Sequence, residues 1–157
     1  DAVYIASPNF CHFEQAKMVL EKGLHLLLEK PMAPTPKECL EIARAAEKKG
    51  VFVVIGHVLR YAPFFCALKK LITDGKIGKV MNINHTEGVG NIHYSHSYVR
   101  GNWHTTRNSA PMLLAKSCHD LDIIQWLIDK PCAQVSSFGS LRVSAGIRMS
   151  FLTVVLR

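Results

Sequence analysis

The chain has 157 residues, of which 48% are hydrophobic and 20% are charged, and its mean hydropathy is +0.12. This composition predicts a globular domain with one sizeable core and excludes a disordered chain. The formal net charge of +7 comes from 19 lysines and arginines against 12 acidic residues. Because the sequence has neither an arginine-rich tract nor interleaved aromatic residues, we predict a small anionic partner, such as a phosphate-bearing cofactor, and no nucleic acid.

Apolar runs and cysteines exclude two further classes of protein. No apolar run approaches the roughly 18–20 residues of a membrane-spanning helix, so we predict no membrane partner. The five cysteines are odd in number, widely spaced and never arranged as CxxC. This pattern argues against a disulfide framework or a structural zinc site and favours a reducing compartment. We therefore predict a cytoplasmic protein.

The first 57 residues alternate short apolar runs with helical patterns. We predict strands at residues 2–6, 24–29 and 51–55, and helices at about 12–22 and 35–50. Thr35 and Glu38 form a capping box around Pro36, and Gly50 ends that helix. Its predicted buried stripe consists of Cys39, Ile42, Ala43 and Ala46. The strands are continuously apolar, which predicts burial on both faces and right-handed parallel βαβ units.

After His57 the pattern changes to that of a second unit. An amphipathic helix is predicted over 64–72 and ends at Asp74-Gly75. Residues 81–86 alternate like a half-exposed antiparallel strand, and residues 88–110 predict a long loop. A helix over 111–128, with Leu114, Leu121, Ile124 and Ile128 on one face, and a strand over 135–141 complete the predicted elements.

Polar residues follow all three parallel strands, where ligands of such sheets bind. They are Ser7-Pro8-Asn9, Glu29-Lys30-Pro31 and Gly56-His57. A lysine at the end of a buried strand is costly to desolvate unless it faces a cleft, where it could exchange a proton. Lys30 is therefore a candidate catalytic residue, with a loop salt bridge as the alternative.

His119 is the second candidate. On a continuous helix Lys116 shares its face, and Asp122 lies one turn later, where it could orient the imidazole. The alternative is a structural histidine. His93, His96 and His104 raise the question of a metal, but no cysteine or acidic residue completes a ligand set, so we predict no metal site. Gly88 and Gly90 do not open a phosphate-binding loop, because His93 stands where the third glycine is needed.

Taken in order, these segments resemble the glucose–fructose oxidoreductase/inositol dehydrogenase/MocA (Gfo/Idh/MocA) family of nicotinamide-dependent oxidoreductases. The resemblance covers about residues 1 to 141 and is carried by four stretches: 3–9 with His12, 23–31, 60–63 with 75–78, and 113–122. It implies an α/β fold: the C-terminal half of a Rossmann-type parallel sheet, followed by part of an α/β domain with an antiparallel sheet. The implied division is a dinucleotide-binding part at 1–57, a substrate part at 58–141 and an unmatched tail at 142–157.

By the same resemblance, the substrate is a sugar or polyol and the cofactor is NAD or NADP. Lys30 would contact the nicotinamide side and the substrate hydroxyl, and His119 would be the acid/base. The cofactor would be lined by Ser7, Pro8, Asn9, His12, Glu29, Lys30 and Arg60, with Arg60 at the junction of the two domains.

The sequence departs from the family in three ways. It contains no glycine-rich first turn or ribose-binding acid, it has Ala115 where an aspartate is usual, and residues 142–157 lose the resemblance. Lys116 could replace the aspartate as a catalytic residue. We expect a piece of a homo-oligomeric enzyme that is inactive by itself. Two alternatives stay open: a redox-assisted glycosidase that holds NAD tightly, and a non-catalytic binding or regulatory relative.

Overall fold

The first part of the chain is a three-stranded parallel sheet with helices between the strands. A computed structural model describes residues 1–105, 109–144 and 147–156. Strands β1 (Ala2–Ile5), β2 (His25–Leu28) and β3 (Val53–Ile55) pair in that order, with Ile5 opposite Leu28 and Leu28 opposite Ile55. The predicted βαβαβ order is confirmed, and it brings the carboxyl ends of all three strands to one edge of the sheet.

Two helices connect these strands. Helix α1 spans His12–Glu21, and α2 spans Pro36–Lys49. The predicted capping box is present: the Thr35 hydroxyl accepts from the Glu38 amide, and the Glu38 carboxylate accepts from the Thr35 amide. Gly50 ends α2 at φ 64°, a left-handed conformation that favours glycine. The core between the helices and the sheet consists of Ile5, Ala16, Leu20, Leu26, Leu28, Ala33, Ile42 and Ala46.

Only one face of this sheet is covered. Tyr4, Leu27 and Val54 lie opposite one another on the other face and are 57%, 42% and 48% exposed. The prediction that the strands are buried on both faces is therefore wrong, because no element among the described residues packs over this row. Ala43 is likewise exposed, because the buried stripe of α2 passes through Ile42 and Ala46.

The middle of the chain differs from its sequence pattern. Helix α3 spans Pro63–Thr73, as predicted. Residues 81–86 form no strand, because a half-exposed strand needs a partner for its backbone groups and the described residues provide none. Within the predicted loop, α4 (Asn91–Tyr94) continues into a π-helical turn over Ser95–Val99. Residues 106–108 of that loop lie outside the described residues.

The predicted helix over 111–128 is broken. Helix α5 spans Met112–Ala115 and α6 spans Cys118–Ile128, with Lys116 and Ser117 between them. The buried residues of α6 are Asp120, Ile123 and Leu127, whereas Leu121 is exposed. The predicted apolar face is therefore wrong by one residue, or about 100° around the helix, because it assumed one continuous helix. His119 consequently lies in the first turn of a helix and not in its middle.

The chain continues into an antiparallel pair of strands. Strand β4 covers Val135–Ser144 and pairs with β5 (Ile147–Leu156), with Val135 opposite Leu156. β4 runs beyond the predicted strand over 135–141, and β5 occupies most of the tail, of which residues 145, 146 and 157 lie outside the described part. The larger antiparallel sheet stays a prediction. Among the helices that the structure describes, none is both long and apolar enough to cross a bilayer.

Candidate functional site

The carboxyl end of β2 meets the turn between α5 and α6. Lys30 follows this strand, and its Nζ donates to the carbonyl oxygen of Ala115 at 3.2 Å. An ammonium has three donors, so this contact leaves Lys30 with two for other partners. Its positive charge also helps to lower the pKa of both His57 and His119. Lys30 and His119, which are 89 positions apart in the sequence, are thus neighbours in the fold.

His119 is half-buried beside these charges. Its Nδ1 is buried and has no hydrogen-bond partner among the described residues. Burial lowers the pKa of the imidazole, and the positive charges of Lys30 and Lys116 and the neighbouring His57 lower it further. The ring therefore favours its neutral form, in which one nitrogen can accept a proton. Because Nδ1 faces inward, Nε2 is the nitrogen available to a substrate.

His57, which follows β3, lies edge-on to His119 with the ring centroids 5.9 Å apart. Its Nδ1 is 3.0 Å from Asp122 Oδ1. Burial lowers the pKa of His57, although the Asp122 carboxylate opposes that effect. Sequence reasoning placed His57 at the ligand edge of the sheet but assigned it no role. The signal that could have found it is its position directly after a strand, level with Lys30.

Asp122 does not orient His119, and that prediction is wrong. The carboxylate accepts two hydrogen bonds from Arg60, Nε to Oδ2 at 2.8 Å and the terminal guanidinium nitrogen to Oδ1 at 2.6 Å. Its remaining contact is with His57. Because α6 begins at Cys118, Asp122 points toward the short 3₁₀ turn that contains Arg60. Arg60 therefore ties the end of the parallel sheet to α6.

Lys116 points away from the helix face that was predicted for it. Its Nζ forms an ion pair with Glu87 at 2.8 Å, and this hydrogen bond is the main cause that raises the pKa of Lys116. Next to it, His85 Nε2 contacts Asp120 Oδ1 at 2.8 Å, and Asp120 Oδ2 is buried without a partner among the described residues. These two contacts hold the segment after α3 against α6. Sequence reasoning missed Glu87, His85 and Asp120.

The residues that follow β1 are polar, and one of them carries an unsatisfied atom. Ser7 donates its hydroxyl to Gln15 at 2.6 Å, and Asn9 donates its side-chain amide to Ser109 at 3.1 Å. Asn9 Oδ1 is buried and has no partner in the described part of the chain. Pro8 beside it is exposed. An acceptor in this position suits an amide or hydroxyl donor of a bound ligand.

His12 is placed differently from its prediction as a cofactor-lining residue. The side chain is 1% exposed, and its Nδ1 and Nε2 lie 2.8 Å and 2.9 Å from the carbonyl oxygens of Pro31 and Ser7. Both ring nitrogens therefore face backbone carbonyl oxygens, and no part of the ring is left for a ligand. His12 instead joins the loop after β1 to the loop that carries Lys30.

Glu29 lies between β1 and β3 at the ligand edge. Its Oε1 accepts from the Tyr4 hydroxyl at 2.9 Å. A Cβ at Gly56 would come within 2.9 Å of the Glu29 carboxylate, so only glycine fits there without displacement. The arrangement fits the nicotinamide end of a dinucleotide, since Glu29, which also accepts from the Lys30 backbone amide at 3.3 Å, and Asn9 place acceptors after neighbouring strands. The sequence contains no glycine-rich turn that could bind the phosphates.

Two other features lie apart from this site. An open cavity of about 740 Å³ borders β1 and α1, and it is lined by Ser7 but by neither Lys30 nor His119. No three histidine, cysteine or acidic residues are grouped for a metal ion within the described ranges. All five cysteines are free of disulfide bonds.

Comparisons with known proteins match both halves of the chain. Residues 1–57 match the model of an oxidoreductase family with an NAD-binding Rossmann fold, and residues 65–155 match the C-terminal domain model of the same GFO/IDH/MocA group. The second match includes most of the tail, for which the motifs alone show no resemblance. The boundaries at 57 and 141 stay predictions.

Curated relatives are longer than this chain. A 2,7-anhydro-N-acetylneuraminate hydratase from Mediterraneibacter gnavus is 31% identical, and the match covers 88% of this chain and 36% of the relative. A 1,5-anhydro-D-fructose reductase from Ensifer adhaerens is also 31% identical, and the match covers 87% of this chain and 40% of the relative. The chain therefore spans only a little more than a third of the length of these relatives.

A solved structure shows the same fold. The WlbA dehydrogenase from Bordetella pertussis, crystallised with NADH and UDP-GlcNAcA, superposes with a TM-score of 0.74 at 23% identity. The match covers 100% of this chain and 45% of that structure. It confirms the Rossmann-type α/β class.

Proposed function

The chain belongs to the Gfo/Idh/MocA family of oxidoreductases, and we propose that it carries the acid/base part of an active site that oxidises or reduces a sugar or polyol carbon with NAD or NADP. The observation that supports this proposal is the meeting of Lys30 with His119 at the ligand edge of the parallel sheet. An ammonium beside a neutral imidazole is the pair that hydroxyl oxidation requires.

The proposed reaction divides the work between these two side chains. The bound nicotinamide would supply the hydride acceptor. His119 Nε2 accepts the hydroxyl proton while the hydride leaves the carbon that bears this hydroxyl, so the hydroxyl becomes a carbonyl and the proton is held by the protein. The Lys30 ammonium lies against the oxygen, where negative charge develops, and stabilises it. In the reverse direction His119 returns the proton.

The remaining predicted residues receive the following proposed roles. Ser7, Pro8, Asn9 and Glu29 contact the nicotinamide end of the cofactor, with Asn9 Oδ1 accepting from it. His12 positions the two loops without touching the cofactor, and Arg60 acts through its ion pair with Asp122. Lys116 takes over the role of the missing aspartate, with its ammonium held in place by Glu87. We expect Lys116→Ala to reduce kcat by more than Ala115→Asp increases it.

Replacement of His119 tests the proposal in the full-length protein that carries this chain. His119→Ala should lower kcat by about two to four orders of magnitude, because an acid/base residue contributes about that much. The dissociation constant for NADH should change by less than about twofold, because the catalytic loss lies in proton transfer and not in cofactor binding. His25→Ala is the matched control, since His25 lies at the amino end of β2, away from the site. Near wild-type turnover in His119→Ala would favour the non-catalytic alternative.

One relative favours a second candidate function. The Mediterraneibacter gnavus protein is named a hydratase, and addition of water involves no net oxidation. The same His119 and Lys30 could serve a transient oxidation that activates such a step or a glycosidic cleavage. The two functions differ in their products: a dehydrogenase accumulates NADH from NAD in step with product, whereas a redox-assisted enzyme forms product without net NADH.

Location and assembly are part of the proposal. Five free thiols suit a reducing compartment, and we place the protein in the cytoplasm. We expect a homo-oligomer that binds a small molecule and not nucleic acid. Sedimentation analysis of the full-length protein and a filter-binding assay with duplex DNA test these two expectations.

A further inference from the structure

Two neighbouring histidines each have one buried nitrogen without a partner. These atoms are His57 Nε2 and His119 Nδ1, and each is inaccessible to solvent and lacks a hydrogen bond among the described residues. An unpaired buried polar atom destabilises a fold, because it has lost its hydrogen bonds to water. The two rings lie edge to face with their centroids 5.9 Å apart, and these two nitrogens form no hydrogen bond with each other in this arrangement. A hydrogen bond between the two nitrogens would satisfy both atoms at once.

Asp122 decides which nitrogen could donate in such a bond. A carboxylate only accepts, so a neutral His57 carries its proton on Nδ1, which faces Asp122 Oδ1 at 3.0 Å. His57 Nε2 is then an acceptor. His119 can satisfy it with a proton on Nδ1, which leaves the lone pair of His119 Nε2 free for the substrate. The hydrogen bonds within the protein thus require both histidines to carry their proton on Nδ1. Catalysis requires the same tautomer of His119, because its Nε2 must be free to accept the substrate proton.

We propose that Asp122, His57 and His119 form a proton relay in which His57 is a positioning residue for the acid/base His119. The inference rests on the proposed function, because it assumes that His119 takes the hydroxyl proton. As that proton binds to His119 Nε2, the proton on His119 Nδ1 moves to His57 Nε2. His57 becomes an imidazolium paired with Asp122, and no further reactant is needed. The reverse sequence returns the proton.

The surrounding charges favour this final position of the proton. His119 faces the cations Lys30 and Lys116, with Asp120 as the one anion that favours its protonation. His57 faces Lys30 and Arg60, but it is in direct contact with Asp122. The Asp122 side chain is only 10% exposed, so its attraction for an adjacent imidazolium is weakly screened. The relay therefore moves positive charge away from Lys116 and toward a buried carboxylate.

His57→Gln separates proton transfer from packing. Glutamine keeps a similar length and can still accept a hydrogen bond, but it cannot take a proton. In the full-length protein we expect kcat to fall about 10- to 100-fold, as it does when outer partners of functional histidines are removed, while the KM for the sugar changes by less than about twofold. If His57 only packs against His119, His57→Gln restores the activity that His57→Ala loses, and that result overturns the relay.

Asp122→Asn provides an independent variant that retains the shape of the side chain. It removes the charge that stabilises the His57 imidazolium, so the proton affinity of the relay falls. The acid limb of the kcat–pH profile should move to lower pH, and the maximum kcat should fall. Asp74→Asn is the control, because it neutralises an exposed aspartate whose partner is Lys70 on α3. An unchanged profile in Asp122→Asn would contradict the relay.

A nitrogen NMR spectrum of the histidine rings tests the tautomers without an activity assay. In the wild-type protein near pH 7 we expect protons on Nδ1 of both His57 and His119. In His57→Ala, which removes the acceptor, the Nδ1 tautomer of His119 should become less populated. A wild-type His119 with its proton on Nε2 overturns the relay even if the enzyme is active. Conversely, His119→Ala that keeps full turnover refutes the proposed function itself, so the two failures are distinguishable.

Discussion

Removing the Asp122 carboxylate should destabilise the protein more than removing any exposed acidic side chain. Asp122 is the only anion that contacts Arg60 and His57 among the residues the structure describes, and it accepts three contacts of 2.6–3.0 Å. Breaking a buried ion pair costs about 3–5 kcal/mol when the remaining charge stays buried. The Arg60 side chain is 41% exposed and regains water in part, which reduces this cost. We therefore expect Asp122→Ala to lower the free energy of unfolding by about 2–3 kcal/mol.

Urea denaturation followed by circular dichroism measures this difference. At this chain length a loss of that size corresponds to a fall in Tm of about 5–10 °C. Asp74→Ala serves as the matched control, because its i,i+4 pair with Lys70 is exposed and contributes about 0.3–0.5 kcal/mol. A double-mutant cycle with Arg60→Ala isolates the coupling between the two side chains. If Asp122→Ala and Asp74→Ala lower the free energy of unfolding by amounts within about 0.5 kcal/mol of each other, the ion pair does not hold α6 to the sheet.

Three further predictions concern the core, the cap and pH. Leu28→Ala should lower the free energy of unfolding, measured by chemical denaturation, by about 2–5 kcal/mol because Leu28 is fully buried. Leu27→Ala on the open face should lower it far less, and equal losses would contradict the observed burial. Thr35→Ala removes the cap of α2 and should cost about 0.5–2 kcal/mol, with the exposed Thr86→Ala as the control that should stay near wild type. The folded-state pKa values of His57 and His119 lie below their unfolded values, so the unfolded chain binds more protons and stability should fall as pH drops below about 6.5. Equilibrium unfolding between pH 7.5 and 5 should show a weaker dependence in the double variant His57→Gln/His119→Gln, and an identical slope would contradict the burial of these rings.

Local patterns predicted the first half of the fold well. The capping box around Pro36, the stop at Gly50 and the continuous strands each depend on a few adjacent residues, so their signals lie within one window of sequence. Besides the predicted burial of Ala43, the error there was burial on both faces of the sheet, and it arose because an apolar strand looks the same whether or not a second layer covers it. Tyr4, Leu27 and Val54 could be placed on the open face only once the sheet was known.

The site was predicted only in part, because its contacts join distant positions. Lys30 and His119 were identified from their sequence contexts, and the fold brings them together. The partner of Asp122 was misassigned because Arg60 is 62 positions away and nothing in either segment indicates the other. His85 and Asp120 are 35 positions apart and were missed for the same reason. A periodic apolar pattern also concealed the break after Ala115, and that break changed the direction of every side chain from Lys116 onward.

The break between α5 and α6 has a consequence for the electrostatic field at His119. The aligned peptide dipoles of a helix place roughly half a positive charge at its amino end, and the effect is confined to the first turn. An unbroken helix over 111–128 would hold His119 in its middle, where this field is weak. Because α6 begins at Cys118, the imidazole lies at the positive pole of an 11-residue helix. The backbone itself thus disfavours the imidazolium form of His119. The irregular turn at Lys116 and Ser117 therefore helps to keep this histidine in the neutral form, which can accept a proton.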